Sequence, residues 1–408
     1  MIEPDLYTPW REPKAAVAAR HVGRQRELGT LRQAASSFAR GRRPLPIYLF
    51  GPRGVGKSHL LQIAAQQIVE QLRAHGTSLV VVPEDIPALR SADDLWARMS
   101  GSSSDGVWAA WREAEAIAAG EAAGARRVVF VEGLDRQLQA LGARERKRLR
   151  HLLDRPGAPW VVGTGRSLVR ELTRTSEAFY GAFDPWPLEP FDEVESAALL
   201  DGVAGGAACA FEGWASRRST LVLLAAGSAR ALVALGNACR DDPRRAASQQ
   251  LQRVVRELGA QYQLEFRHLS PNSQRIVELL SRAPRESTPT EIAAELRWSV
   301  AQISVQAGRL VDEGVLRHRS EGRQSWYRLA DPLFRYWLEY RCSDWDETRI
   351  GRAARMLEAS FAGGPAPVPS VTAGGPASVA EALQDSSRGR AHPELEALRS
   401  EQPVTPAG

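Results

Sequence analysis

A short glycine-rich segment constrains the fold of this chain more than any other part of its sequence. Residues 51–58 read Gly-Pro-Arg-Gly-Val-Gly-Lys-Ser and lie between an apolar run, Ile47–Phe50, and a helix-like stretch that starts at His59. This is the pattern G-x-x-x-x-G-K-[ST] between a strand and a helix, in which backbone N–H groups surround phosphate oxygens. The segment therefore predicts a P-loop that binds a nucleoside triphosphate.

The polar side chains of this segment suit the same chemistry. The Lys57 ammonium would reach the β- and γ-phosphates, and the Ser58 hydroxyl would ligate Mg²⁺. Lysine is rare in this chain, whose basic residues are nearly all arginine, so a lysine here indicates a need for a compact ammonium. The predicted nucleotide contacts from this region are Gly51, Pro52, Arg53, Gly54, Val55, Gly56, Lys57, Ser58 and His59.

Two carboxylates follow another apolar run. Val128–Val131 ends in Glu132, and Asp135 comes three residues later. A P-loop ATPase needs an acidic residue at the end of a neighbouring strand, so we expect Glu132 to hold Mg²⁺ and Asp135 to polarise the attacking water. The alternative is that Glu132 only ends the strand and Asp135 caps the next helix. Asp is usual at the position of Glu132 in P-loop ATPases. Nucleotide binding is therefore the firmer inference, and the rate of hydrolysis depends on how well Glu132 replaces Asp.

Apolar runs alternate with helical stretches from His21 to about Leu188, which predicts an α/β fold with a parallel sheet. The predicted strands are Ile47–Phe50, Leu79–Val82, Val128–Val131 and Trp160–Val162. The predicted helices between them include His59–Ala74 and Asp93–Ala118.

Three further segments carry a family resemblance. Residues 21–28 (His-Val-Gly-Arg-Gln-Arg-Glu-Leu), 160–166 and 227–232 resemble the boxes that surround the P-loop in AAA+ ATPases of the origin-recognition/Cdc6 type and in the related STAND ATPases. The resemblance implies ATP rather than GTP. It also implies that Val22, Gly23 and Arg24 lie beside the adenine, that Thr164 or Arg166 probes the γ-phosphate, and that Arg230 reaches the nucleotide from a helical lid.

The subfamily stays open at this point. The origin-recognition pattern would place Asp-Glu where this chain has Glu132-Gly133, whereas Gly133-Leu134-Asp135 is similar to the NACHT/STAND variant.

The C-terminal third predicts a winged helix-turn-helix. Ser270-Pro271 and Thr288-Pro289 are typical helix starts, and Val300–Glu313 has helical spacing of apolar residues. Val315–Arg319 and Ser325–Arg328 would form the wing. The stretch resembles the MarR-like winged helices appended to such ATPases. The predicted contacts to duplex DNA are Gln302, Ser304, Gln306 and Arg309 from the third helix and Arg317, Arg319 and Arg323 from the wing.

These patterns divide the chain into consecutive segments. They are a flexible lead-in (1–19), a P-loop ATPase core (20–188), a helical lid (189–260), a winged helix-turn-helix (261–345), and a short helix followed by a disordered tail (346–408). The net charge of +5 permits nucleic-acid binding without establishing it. The N-terminus lacks signal-peptide features, the apolar runs are too short for a bilayer, and the three cysteines are widely spaced, so we expect a cytoplasmic protein.

Two functions fit. The first is a nucleotide-switched, DNA-binding ATPase that could act as a homo-oligomer. The second is a STAND-type signalling ATPase whose winged helix is structural and whose output is a separate effector protein. A metabolic P-loop kinase fits less well, since no acceptor pocket is recognisable.

Overall fold

The computed structural model describes residues 13–82, 91–92, 126–155, 157–283, 285–322, 324–341 and 348–361. Three predictions fall outside these residues: the helix Asp93–Ala118, the wing residue Arg323 and the disordered tail beyond residue 362. The chain divides into two compact units. The first comprises residues up to Leu188 with Asp312–Gly314, and the second comprises Glu189–Val311 and the residues from Val315 onward.

The first unit is built on a parallel sheet. Among the residues described, its five strands lie in the order β2-β3-β4-β1-β5, and every neighbouring pair is parallel. The strands are β1 (Ile47–Phe50), β2 (Thr77–Val82), β3 (Arg126–Val131), β4 (Trp160–Gly165) and β5 (Asp184–Pro187). The prediction of an α/β fold with a parallel sheet is therefore confirmed.

Helices cover this sheet. They are α1 (Lys14–Ala19), α2 (Gln25–Ala39), α3 (Lys57–Arg73), α4 (Leu134–Ala140), α5 (Ala143–Asp154) and α6 (Arg170–Thr173). The apolar faces of α1, α2 and α3 share one core with alternate residues of the strands, such as Ile47 and Leu49 in β1 and Val128 and Phe130 in β3. This packing places the end of β1 and the start of α3, which bound the P-loop, on a rigid base.

Two features of this unit differ from the predictions. The lead-in, expected to be flexible, contains α1, and Val17 on this helix is fully buried in the core. The strand β5 was not expected, because its sequence is Asp-Pro-Trp-Pro and proline cannot donate a ladder hydrogen bond. Of the strands described, β1 alone pairs with it, so it lies at the edge of the sheet, where such residues are tolerated.

Among its described residues, the second unit is helical apart from one hairpin. Its helices are α7 (Glu193–Ala204), α8 (Gly206–Cys209), α9 (Trp214–Ala225), α10 (Ala229–Asp241), α11 (Ala247–Glu257), α12 (Gly259–His268), α13 (Pro271–Arg282), α14 (Pro289–Leu296), α15 (Val300–Asp312), α16 (Pro332–Tyr340) and α17 (Arg349–Phe361). The antiparallel hairpin consists of β6 (Leu316–Glu321) and β7 (Gln324–Leu329).

The predicted helix starts of this unit are confirmed by their caps. The Ser270 hydroxyl accepts a hydrogen bond from the Ser273 amide at 3.2 Å. Thr288 and Glu291 form a reciprocal capping box, with Pro289 at the first helical position. These local signals explain why the order of elements from α13 to β7 could be predicted. In the part of the chain that the structure describes, no helix has the length and apolar character needed to cross a membrane.

Candidate nucleotide-binding site

The loop between β1 and α3 has the backbone shape of a phosphate cradle. Gly54 and Gly56 adopt φ angles of 82° and 101°, the left-handed region that favours glycine. Gly56 immediately precedes α3, whose first turn has no side-chain cap. The amides of this turn thus lack a competing side-chain acceptor, and with the positive end of the helix dipole they suit an anion.

The Lys57 ammonium lies across this loop. Its Nζ donates to the Gly51 carbonyl at 2.7 Å and to the Pro52 carbonyl at 3.0 Å. Gly51 itself has no room for a side chain, because a Cβ there would meet the Leu188 carbonyl oxygen at 2.6 Å. These two bonds hold the ammonium inside the cradle.

The register of the sheet places the other predicted residues at the same edge. Phe50 in β1 is level with Gly165 in β4, and Gly163 in β4 is level with Val131 in β3. The residues that follow β1 and β3 are therefore separated by the single strand β4, a spacing of roughly 10 Å across two strand intervals. This gap suits a phosphate group with a hydrated metal ion.

Glu132 lies at the end of β3 and is 5% exposed. Its backbone amide donates to the Val82 carbonyl at 2.9 Å, which extends the pairing with β2. No group of three or more acidic, histidine or cysteine side chains that could hold a metal occurs in the described ranges. Mg²⁺ fits this arrangement, since it is usually bound by one or two protein oxygen ligands together with phosphates and water. The sequence predicts that Ser58 and Glu132 would be those ligands, and this assignment stays a prediction.

Asp135 has a different environment from Glu132. It is 2% exposed, and both of its carboxylate oxygens accept backbone hydrogen bonds, from the Arg136 amide at 2.9 Å and the Arg166 amide at 2.7 Å. The second bond joins the start of α4 to the residue that follows β4. Asp135 thus supports the shape of the site, and this use competes with its predicted role of polarising water.

The glycines on either side of Thr164 also have a packing reason. A Cβ at Gly163 would collide with the Leu134 side chain, and one at Gly165 would collide with the Tyr48 hydroxyl. Thr164 is 3% exposed, and its Oγ1 accepts from the Gly133 amide at 3.2 Å. The predicted γ-phosphate probe is therefore tied to the loop that follows β3.

The segment before α2 contacts the P-loop. Arg24, at φ 60°, directs its Nη2 to the Val55 carbonyl at 3.5 Å. Burial lowers the pKa of His21. Burial, together with the nearby charges of His21 and Arg20, lowers the pKa of His59 to about 4.

The two histidine rings stack, with centroids 5.8 Å apart and planes 15° from parallel. Sequence reasoning placed His59 at the nucleotide but missed this pairing, because nothing in the sequence indicates a contact between residues so far apart.

Within the second unit, the predicted lid arginine already has an acidic neighbour. Arg230 in α10 forms an ion pair with Asp331 at 3.7 Å. Asp331 also accepts a hydrogen bond from the Tyr262 hydroxyl at 3.1 Å and caps α16 through the Leu333 amide. The proposed reach of Arg230 to a nucleotide stays a prediction.

The predicted contacts on α15 are mostly at the surface. Gln302, Ser304 and Arg309 are exposed and Gln306 is half-buried, outside the buried face of Ile303, Ala307 and Leu310.

The hairpin differs from its prediction. The Arg317 Nε is buried, and burial, reinforced by Arg328, lowers the pKa of Arg317 to about 10. Arg317 is the second residue of β6 and is only half-exposed, so its contact with a phosphate stays a prediction. Arg319 is exposed but pairs with Glu286 at 2.8 Å and Glu321 at 3.0 Å.

Known proteins share the fold of this part of the chain. Residues 20–183 match the family described as AAA ATPase domain, and the unit that contains them has a P-loop NTPase fold. The Walker-type ATPase of Pyrococcus abyssi is similar in structure, with a TM-score of 0.57 and 15% identity over 78% of this chain and 96% of that one. The ORC2 protein of Aeropyrum pernix, solved as ADPNP-ADP complexes, has a TM-score of 0.51 and 16% identity over 88% and 98% of the two chains. No curated protein sequence matches the chain.

Proposed function

We propose that this chain is an ATP-binding and ATP-hydrolysing switch that couples its nucleotide state to the binding of duplex DNA. The observation that carries the ATP part is the cradle: Lys57 held over a loop whose glycines are in left-handed conformation, at the sheet edge that also bears Glu132. The structural similarity to a protein solved with ADPNP and ADP supports an adenine nucleotide.

Each residue of the cradle has a role in this proposal. The amides of residues 54–58 and the Lys57 ammonium hold the phosphates. Ser58 and Glu132 hold Mg²⁺, which when bound offsets negative charge on the β- and γ-phosphates. Asp135 and Thr164 keep the ends of β3 and β4 together, so the carboxylate of Glu132 keeps its position relative to the loop.

The DNA part of the proposal rests on the C-terminal module. Helices α13, α14 and α15 followed by the β6–β7 hairpin have the order of a winged helix-turn-helix. Gln302, Ser304 and Arg309 on the exposed side of α15 carry donors and acceptors of the kind that read base edges in the major groove.

Coupling requires only that ATP and ADP favour different conformations of the chain. If one of these conformations binds DNA more tightly, thermodynamic linkage makes DNA and nucleotide affinities depend on each other by the same factor.

A STAND-type signalling ATPase is the second candidate. It is favoured by two exposed valines on α15, Val300 at 45% and Val305 at 57% exposure, which suit a protein surface better than a phosphate backbone. In that case the output is a protein partner and the hairpin arginines serve the fold.

Fluorescence anisotropy of a labelled duplex separates the two candidates. The protein is titrated at several salt concentrations without nucleotide, with ADP and with ATP and Mg²⁺. The proposal predicts affinity that falls as salt rises and that differs between the ATP and ADP states. Absence of salt-sensitive binding in every nucleotide state contradicts the DNA part and favours a protein partner.

A further inference from the structure

Helix α5 of the first unit has a row of basic side chains along its exposed side. The residues of this basic row are Arg144, Lys147, Arg148 and His151. All of them are exposed, and because they follow one another at spacings of one, three and four residues they share one side of the helix. The buried side carries Leu149, Leu152 and Leu153, which anchor the helix in the unit.

The remaining charged residues of α5 have partners of their own. Arg146 forms an ion pair with Glu177 at 3.2 Å, and Arg150 pairs with Asp154 at 2.7 Å. Glu145, the other carboxylate of the helix, accepts a hydrogen bond from a backbone amide at 2.9 Å. Both acidic side chains of α5 are therefore engaged with groups outside the basic row.

The exposed side of α3 shows that such a row is not a general property of helix surfaces in this unit. Its exposed side chains include Gln67, Glu70, Gln71 and Arg73, and Arg73 pairs with Glu70 at 3.0 Å. That surface is mixed in charge and partly neutralised. A row of one sign over two turns, as on α5, instead suits a partner with a row of negative charges.

A nucleic acid fits this row better than a membrane or a protein. A helix that binds a membrane exposes its apolar face to lipid, whereas the leucines of α5 are buried. A protein interface has an apolar centre, and the exposed residues of α5 include no apolar side chain larger than alanine. The row extends about 10 Å along the helix axis, which is about three phosphate intervals of one strand along the axis of a DNA duplex.

We propose that the basic row of α5 binds the phosphate backbone of duplex DNA, as a contact in addition to the C-terminal module. This inference rests on the proposed DNA-binding function and adds a contact made by the first unit. Phosphate contacts carry no base information, so the row contributes affinity and salt dependence rather than sequence specificity.

Salt-dependent binding of a labelled duplex to full-length variants tests the proposal. Arg144→Ala and Arg148→Ala are combined, because alanine is the best residue for an exposed helix position and should preserve the fold. Each lost phosphate contact lowers the slope of log affinity against log salt by about 0.9, so we expect the double variant to lose about 1.8 from the slope. Its affinity at about 0.1 M salt should fall at least tenfold. The corresponding double lysine variant keeps both charges and should keep the wild-type slope.

The matched control removes two exposed arginines from α2, as Arg26→Ala with Arg32→Ala. This control loses the same net charge and should keep the wild-type slope within about 0.5. An equal loss of slope in the control would indicate a general effect of net charge and overturn the proposal. A wild-type slope in the α5 alanine variant would also overturn it. ATP titration checks the fold, and a loss of ATP affinity in the α5 variant would assign the row to the fold and likewise contradict DNA contact.

Failure of this proposal is distinguishable from failure of the proposed function. If the wild-type chain binds the duplex and only the α5 variant is without effect, the DNA contact lies elsewhere and the proposed function stands. If the wild-type chain shows no salt-sensitive duplex binding in any nucleotide state, the DNA part of the proposed function fails together with this inference.

Discussion

The nucleotide cradle and the β6–β7 hairpin both carry basic side chains where a phosphate is predicted, but they hold these side chains differently. Lys57 is bound by two backbone carbonyls, which are neutral. Arg319 is bound by the carboxylates of Glu286 and Glu321 and lies over the Trp326 ring at 4.1 Å. The Lys57 ammonium thus donates to backbone oxygens of the loop itself, whereas the charge of Arg319 is offset by two carboxylates. The cradle therefore suits an anion better than the hairpin does.

Removing the cradle ammonium should have the largest effect. Lys57→Ala is expected to weaken ATP binding by roughly 100-fold or more, about 2.7 kcal/mol, because no other side chain in the loop supplies a compact positive charge. A fluorescent-nucleotide titration measures this. Lys147→Ala, at an exposed position of α5, is the matched control and should bind as wild type does. Unchanged ATP affinity in Lys57→Ala would mean that the cradle does not bind the nucleotide through this ammonium.

Glu132→Gln is expected to separate ATP binding at the cradle from ATP hydrolysis. The substitution keeps the shape of the side chain and removes its charge, so ATP affinity should stay within about threefold while Mg²⁺-dependent phosphate release falls at least roughly tenfold. Phosphate release under saturating ATP measures this. Full turnover in the variant would place the metal ligand elsewhere.

Asp135→Asn is expected to act on stability first. The amide group of Asn can replace only one of the two acceptors, and its NH₂ would face a backbone N–H. We predict a loss of about 1–3 kcal/mol in the free energy of unfolding, measured by urea denaturation. If the variant is as stable as wild type but does not hydrolyse ATP, Asp135 acts on the water as the sequence predicted.

The smallest effect is expected at the hairpin. Arg319→Ala should change duplex affinity by less than about twofold and leave the salt dependence unchanged, because its charge is already paired. Arg309→Ala, on the exposed side of α15, should reduce the slope of log affinity against log salt by about one if it contacts a phosphate. A loss of slope in Arg319→Ala would show that the hairpin releases its arginine to DNA.

The elements that could be predicted are those whose structure is determined by residues close together in the sequence. The P-loop depends on glycine backbone angles, and the helix starts at Ser270 and Thr288 depend on caps within three residues. The strand β5 could not be predicted, because its two prolines are compatible with a strand only at a sheet edge, and that position depends on the complete topology.

The candidate site could be predicted only in part from the sequence, because some of its side chains bond to residues that are distant in sequence. Asp135 could be placed near the nucleotide, but its bond to the Arg166 amide depends on how α4 meets the end of β4. Likewise, the pairing of Arg319 with Glu286 joins residues 33 positions apart. Residue type and spacing predict which groups are present, whereas charge neutralisation depends on such tertiary contacts.

The position of the Lys57 ammonium in a nucleotide-bound structure shows whether the cradle binds phosphate. A crystal structure with a non-hydrolysable ATP analogue and Mg²⁺ gives the distances from its Nζ to the phosphates and to the Gly51 and Pro52 carbonyls. We predict that the Lys57 Nζ moves from these carbonyls to within about 3 Å of β- and γ-phosphate oxygens, with the analogue in the cradle. An analogue bound elsewhere, or an Nζ that keeps both carbonyls as its only partners, would contradict it.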